Sequence, residues 1–244
     1  MVGYQNKGVE GDWLFNFAAP TFERVDKDTM TLKDIKFQYT ELDPAGQILW
    51  SLDQGGATSQ DYYYVNEAVA DDWGYLPEEY GEIVGWYSDE NCTIPANDVE
   101  IPYGQGFAIV SGSADVKAVF AGAVKAKEAT VDIIGDWIFN FTGNVIPVDY
   151  TLGDLAFIYE ELDPAGQILW TLDLGGATKQ DYYYVNEAVA DDWGYLPEEY
   201  GEIVGWYSDE NCTIPANDVE MPSGQGFAVV SGLPVQLWVP SPVK

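Results

Sequence analysis

A 72-residue block occurs twice in this chain of 244 residues, and the repeat limits what the chain can fold into. Residues Glu41–Gly112 match Glu161–Gly232 at a constant shift of 120, with six differences. The differing pairs are Ser51/Thr171, Gln54/Leu174, Ser59/Lys179, Ile101/Met221, Tyr103/Ser223 and Ile109/Val229. Because a repeated sequence repeats its local structure, the fold must contain one structural unit twice.

The repeat continues upstream of the block with a change in spacing. Gly11–Phe17 matches Gly135–Phe141 at a shift of 124, so the first copy carries four extra residues between Ala18 and Met30. A length change of this kind is typical of a surface loop.

The apolar residues alternate with a period of two, which indicates β-strands. Alternating runs lie at residues 13–17, 48–52, 99–101 and 129–133, and uninterrupted β-branched or aromatic runs lie at 62–65, 83–87 and 107–110. Only Thr31–Ile35 has the pattern of a short helix, with Thr31 or Asp28 as its cap. We therefore predict an all-β fold of two tandem, near-identical β-sandwich or small β-barrel domains, 1–124 and 125–244, of about seven or eight strands each.

The net charge of the chain limits the classes of partner that it can be expected to bind. Asp and Glu number 41, Lys and Arg number 10, and the formal net charge is −31. Nucleic acid and anionic membrane both require a basic surface, so neither is an expected partner. The chain has no His, which removes the usual general base and the commonest metal ligand. We predict a protein that is not an enzyme.

No apolar run approaches the ~18 residues that a membrane-spanning helix needs, so we expect no membrane insertion. The first residues show no basic segment followed by an apolar one. Either the protein is cytosolic or this is a mature form without its signal peptide. Short strands, abundant Tyr and tandem modules favour the second, an extracellular or cell-surface location.

Short motifs at the edges of each repeat carry a resemblance. Val2–Asn6, Pro102–Gly112 and Asp136–Phe141 resemble an uncharacterised family of secreted bacterial β-repeat proteins. That family opens on a Val-Gly-Tyr strand and closes on a Gly-Gln-Gly-Phe hairpin. The resemblance implies export and a β fold, and it transfers no catalytic residue.

The segment Ala70–Glu82 combines three aromatic side chains with five carboxylates. We expect a long loop with rings that stay exposed, as a sugar platform or a contact between subunits; the alternative is a lid folded onto the core. The predicted binding or interface residues are Trp73, Tyr75, Tyr80, Trp193, Tyr195 and Tyr200. Glu78 and Glu79 are a poor hydrolase pair, because neighbours on a strand point to opposite faces.

The run Asp89–Thr93 resembles the alternating oxygen ligands of a calcium loop but lacks the glycine of its turn. We predict no cofactor, with calcium as the one open alternative. Cys92 and Cys212 occur once in each repeat, so each is either a free, partly buried thiol or part of a bond between repeats or chains.

These observations favour a secreted, non-enzymatic tandem β-repeat protein that acts through its surfaces in an extracellular or cell-surface assembly. Its expected partners are further copies of itself or another surface protein. The alternative is a carbohydrate-binding or calcium-assisted adhesion module, with glycans as partners.

Overall fold

The fold is built almost entirely from short antiparallel strands. The computed structural model describes residues 2–22, 29–40, 46–52, 58–113, 116–124, 128–160, 166–172, 178–239 and 241. In the first half the strands are β1 Val2–Val9, β2 Asn16–Ala18, β3 Thr29–Thr31, β4 Ile35–Tyr39, β5 Gln47–Leu52, β6 Thr58–Val65, β7 Gly85–Tyr87, β8 Glu100–Pro102, β9 Phe107–Ser111 and β10 Val116–Ala123. In the second half they are β11 Ala129–Ile133, β12 Asn140–Gly143, β13 Tyr150–Thr151, β14 Ala156–Ile158, β15 Gln167–Leu172, β16 Thr178–Val185, β17 Gly205–Tyr207, β18 Glu220–Met221, β19 Gly226–Ser231 and β20 Val235–Val239.

Short helices interrupt the strands at equivalent places in the two halves. The α-helices are α1 Glu67–Asp72, α2 Tyr80–Ile83, α3 Glu187–Asp192 and α4 Tyr200–Ile203. Single 3-10 turns occur at Leu32–Asp34, Pro77–Glu79, Leu152–Asp154 and Pro197–Glu199.

Each half pairs its strands in the same order. A five-stranded sheet runs β2-β9-β5-β6-β7 in the first half and β12-β19-β15-β16-β17 in the second. A three-stranded sheet runs β1-β10-β4 or β11-β20-β14, and a two-stranded sheet pairs β3 with β8 or β13 with β18. All of these pairings are antiparallel. The prediction of an all-β fold is confirmed.

The three-stranded and five-stranded sheets pack face to face around a hydrophobic core. In the first half, Leu49 and Ile109 from the larger sheet share one buried cluster with Ala118 and Phe120 from the smaller sheet. The rings of Phe107 and Phe120 lie 6.0 Å apart between centroids across this core. The second half has its own large cluster, to which Ala19 of the first half also belongs.

The two halves touch through reciprocal contacts, which we call the junction. The backbone amide of Gly106 donates to the carbonyl of Phe141 at 3.0 Å, and Ala18 forms an antiparallel β-bridge with Gln225. A Cβ at Gly226, the counterpart of Gly106, would lie 2.9 Å from the backbone nitrogen of Ala18. Equivalent strand ends therefore meet in both directions, as at an isologous interface. The division into two domains stays a prediction.

Several local predictions need correction. Ten strands lie in the described part of each half, more than the predicted seven or eight, because three-residue and two-residue strands leave no clear periodicity. The strand expected over residues 13–17 begins only at Asn16, since Asp12 and Trp13 have φ of 56° and 60°. The strand expected over 83–87 begins at Gly85, because Ile83 still belongs to α2.

The one predicted helix, at Thr31–Ile35, is a 3-10 turn capped by Thr31, whose amide and hydroxyl both donate to the Asp34 carboxylate at 2.9 and 2.8 Å. The alternative cap, Asp28, lies outside the described residues. The same holds for Asp43–Ala45, the first three residues of the type I turn that Asp43, Pro44 and Gly46 predict. Among the described residues, no helix is long and apolar enough to cross a membrane.

Candidate functional site

The segment that sequence singled out is a compact helical unit, where a long loop was expected. It begins at Asn66, which is fully buried and whose side-chain oxygen accepts a hydrogen bond from the Val69 amide at 2.9 Å. This is an N-cap, which satisfies a backbone donor that the first turn of α1 leaves unpaired. The six residues of α1 are too few to show a helical period in the sequence.

The end of α1 turns the chain sharply and aims the aromatic rings outward. Gly74 has φ of 86°, and its amide donates to Asp71 at 2.8 Å while the Tyr75 amide donates to Ala70 at 3.0 Å. These two bonds form a Schellman motif, which requires a left-handed residue and therefore favours glycine. The same bonds occur at Gly194 in the second half.

A second cap fixes the next turn. Pro77 starts the 3-10 helix, and the Glu79 carboxylate accepts a hydrogen bond from the Leu76 amide at 2.8 Å. Glu78 and Glu79 thus lie on a helical turn, and the strand assumed for them was wrong. The Tyr80 hydroxyl donates to the Asp71 carboxylate and ties α2 to α1.

This geometry leaves three neighbouring apolar side chains in solvent in each half. Trp73 is 47% exposed, Tyr75 38% and Leu76 56%, and the copies Trp193, Tyr195 and Leu196 are 48%, 36% and 56% exposed. We call each set of three an aromatic patch. The expectation that Trp73 and Tyr75 remain exposed is confirmed, and the alternative of a lid folded onto the core is excluded for these rings. Their role as binding residues stays a prediction.

Leu76 is a member of the patch that sequence analysis missed. Its signal was the proline that follows it, because Pro77 fixes the extended backbone of the preceding residue and holds Leu76 outside the helix. Two leucine side chains and four aromatic side chains therefore make up the apolar surface of the two patches.

Tyr80 and Tyr200 occupy a different position from the other predicted residues. Each is half-buried, and Tyr80 packs against the small cluster that contains Val65 and Val69. The hydrogen bond to Asp71, with some help from burial, raises the pKa of Tyr80 to about 12. The hydroxyls of Tyr80 and Tyr200 therefore hold α2 to α1 and α4 to α3, and these two rings are not among the exposed rings of the patches.

The surroundings of the patch are strongly acidic. Asp71, Asp72, Glu78 and Glu79 are all exposed next to it. The stretch Gln60–Glu100 contains no Lys or Arg, so no cation close in sequence neutralises these carboxylates. A ligand of the patch must therefore present hydrogen-bond donors, cations or apolar surface.

The predicted calcium loop is a self-contained turn in the structure. The Asp89 carboxylate accepts hydrogen bonds from the amides of Thr93 and Ile94 at 2.9 and 2.7 Å and from the Thr93 hydroxyl at 2.9 Å. Burial works in the opposite direction, but these bonds prevail and hold the pKa of Asp89 below its usual value. Asp98, the next carboxylate along the chain after this turn, pairs with Lys33 at 2.6 Å. No group of three or more candidate metal ligands occurs in the part of the chain that the structure describes.

The two cysteines form no disulfide and are half-buried. Burial raises the pKa of the Cys92 thiol, and the neighbouring Asp89 carboxylate acts in the same direction. A raised pKa lowers the thiolate fraction, so these thiols are poor nucleophiles at neutral pH.

Comparison of the chain with family models, with curated proteins and with solved structures finds no match.

Proposed function

We propose that this is a secreted, non-enzymatic tandem-repeat protein that acts through its two aromatic patches in an extracellular or cell-surface assembly. The observation that carries the proposal is the duplication of one exposed apolar surface, centred on Trp73 and Trp193, on a single chain. Contiguous apolar side chains on a protein surface are typical of interaction sites.

The partner that we propose first is a further copy of the chain. If a patch binds the same patch of another molecule, each chain has two such contacts and links two neighbours. Two contacts per molecule produce linear chains of molecules, which fits a structural role at a cell surface.

Repulsion between negatively charged residues should make this assembly depend on salt. The acidic residues beside Trp73 would face those of the opposing patch, and the chain carries a net charge of −31. Salt screens such repulsion within a Debye length of about 8 Å at physiological ionic strength. We therefore expect assembly to increase with salt and further with calcium, the cofactor alternative left open by the sequence.

The experiment is light scattering coupled to size-exclusion chromatography over a range of protein and salt concentrations. The wild type should form oligomers beyond the dimer. Either single substitution, Trp73→Ala or Trp193→Ala, should stop assembly at the dimer, and the double variant should be monomeric. The matched control is Trp13→Ala with Trp137→Ala, a second pair of equivalent indoles that are 45% and 46% exposed.

A wild type that stays monomeric at every salt and protein concentration would contradict self-assembly. Loss of assembly in the control pair as well would show that the patches are not the contact.

The second candidate is carbohydrate binding by the same patches. It is favoured by the exposed indole beside carboxylates that have no Lys or Arg close in sequence, because a pyranose ring stacks on an indole while its hydroxyls donate to acids. A glycan array probed with the wild type and the double Trp73→Ala, Trp193→Ala variant tests it. Binding of neutral oligosaccharides by a monomeric wild type, lost in the double variant, would select this candidate over assembly.

A further inference from the structure

A cleft with a volume of about 780 Å³ lies where β1 of the first half faces strands of the second half. The first half lines it with Lys7 and Glu10, and the second half with Lys179, Tyr182 and Glu220. Sites for small ligands commonly have volumes of about 300–1,000 Å³. The cleft is therefore large enough for a small organic molecule, and its residues are distinct from those of the aromatic patches.

The two sides of the junction are not equivalent. On one side the Tyr103 hydroxyl donates to the Val145 carbonyl at 2.7 Å, and both Tyr103 and Val131 pack against the core of the second half. On the other side the counterpart of Tyr103 is Ser223, and the Gln5 amide donates to its carbonyl at 2.5 Å and to its hydroxyl at 2.9 Å. Gln5 belongs to β1, so this contact lies on the side of the junction that carries the cleft.

The lysines of the cleft are also confined to this side. The register of β1 with β10 and of β11 with β20 makes Val131 the counterpart of Lys7. Lys179 replaces Ser59 and is one of the six differences within the repeated block. Two cations thus enter the cleft at positions where the other half has none.

Neither lysine has a partner among the described residues. The Lys7 side chain is half-buried and forms no hydrogen bond or ion pair among these residues, and burial lowers the pKa of its ammonium group. The Lys179 side chain is exposed and makes no ion pair within the described ranges. Burying the Lys7 ammonium group without a counter-ion is unfavourable, so a negatively charged ligand atom would gain from binding that group, and Lys179 adds a second positive charge at the cleft.

The remaining residues of the cleft add hydrogen-bond acceptors and an aromatic ring. Glu10 and Glu220 can accept bonds from hydroxyl groups, and the Tyr182 side chain offers an apolar face. A ligand that pairs with the ammonium groups, the carboxylates and the aromatic ring has one carboxylate, several hydroxyls and a ring of its own.

We propose that the cleft binds a sugar acid. Lys7 and Lys179 hold its carboxylate, and Glu10 and Glu220 accept hydrogen bonds from its hydroxyls. The proposal rests on the cleft and its unpartnered ammonium groups, and it does not require the aromatic patches to function.

The test is isothermal titration calorimetry of the full chain with D-glucuronate. Glucose, which has the same ring without the carboxylate, and acetate, which has the carboxylate without the ring, are the comparison probes. Glucuronate should bind measurably and more tightly than either. Equal binding of glucose would overturn the role of the lysines, and equal binding of acetate would overturn the sugar assignment.

Variants locate the binding. Lys7→Gln should weaken glucuronate about tenfold or more, because a hydrogen bond to a charged group is lost, and Lys179→Ser restores the residue of the first repeat and should also weaken it. Lys36→Gln, on the opposite edge strand of the same sheet, removes the same charge from an exposed site and should have no effect.

The Trp73→Ala, Trp193→Ala variant should bind glucuronate like the wild type, which separates this site from the proposed function. No detectable glucuronate binding by the wild type, or unchanged binding by Lys7→Gln, would overturn the proposal.

Discussion

The repeated sequence makes the same contacts in both copies of the segment from Asn66 to Tyr87. At the junction between the halves, it makes different contacts on the two sides. The segment has the same residues, caps and exposed rings in both halves, because its contacts are local. At the junction, residues at equivalent positions of the two halves contact partners that are not equivalent. Tyr103 reaches Val145, whereas its counterpart Ser223 is bound by Gln5. Local structure is thus copied with the sequence, while the contact between copies can differ on its two sides.

The glycines of the two regions provide the sharpest test of this contrast. A Cβ at Gly106 would lie 2.9 Å from the backbone of Phe141 and Thr142, and one at Gly226 would be equally close to Phe17 and Ala18. Backbone atoms cannot rotate away, so Gly106→Ala or Gly226→Ala should lower the free energy of unfolding by about 1–3 kcal/mol.

The matched control is Gly81→Ala in α2, where a Cβ would meet nothing within 4 Å. It should be neutral or stabilising by up to about 1 kcal/mol, because alanine is the better helix former. Urea denaturation measures all three variants. If the junction variants were as stable as the control, the halves would not be in the contact described.

A tyrosine pair tests the same contrast with a smaller change. Tyr103→Phe removes the hydrogen bond to the buried Val145 carbonyl and should destabilise by about 1 kcal/mol. Tyr75→Phe on the aromatic patch should change the free energy of unfolding by less than about 0.5 kcal/mol, as surface substitutions usually do. Equal effects of the two variants would refute the difference between the regions.

Alkaline pH should weaken the hydrogen bond from Tyr80 that ties α2 to α1. The pKa of Tyr80 is raised from 10.0 to about 12, so its neutral form is favoured in the folded state. Stability from this group is complete below pH 10 and is lost as the pH rises through 12.

The urea midpoint of the wild type should therefore fall between pH 10 and pH 12. The decline should be shallower in the double variant Tyr80→Phe, Tyr200→Phe, which has no hydroxyls to ionise at these positions. An identical decline in both proteins would show that other groups cause it, such as Tyr64, whose pKa burial raises to about 12.

Much of the fold could be predicted from residues close in sequence. The alternation over Ala129–Ile133 correctly indicated β11. Gly104, which has φ of 84°, is a residue typical of the turn that precedes β9. The exposure of Trp73 was also predictable, because a run of carboxylates on both sides of an indole is costly to bury. The helix α1 could also have been predicted, since Asn66 and Gly74 are typical capping residues at its two ends.

The sequence by itself determined the all-β class, the duplication of one unit and the acidic surroundings of its exposed rings. These properties depend on periodicity, identity and charge, which can be read along the chain. Only the tertiary structure decided that Lys7 and Lys179 line one cleft and that Tyr103 and Ser223 take different partners. The residues that meet belong to different halves of the chain, Tyr103 and Val145 being 42 positions apart and Gln5 and Ser223 218. Their meeting depends on how the two halves dock, which no local pattern encodes.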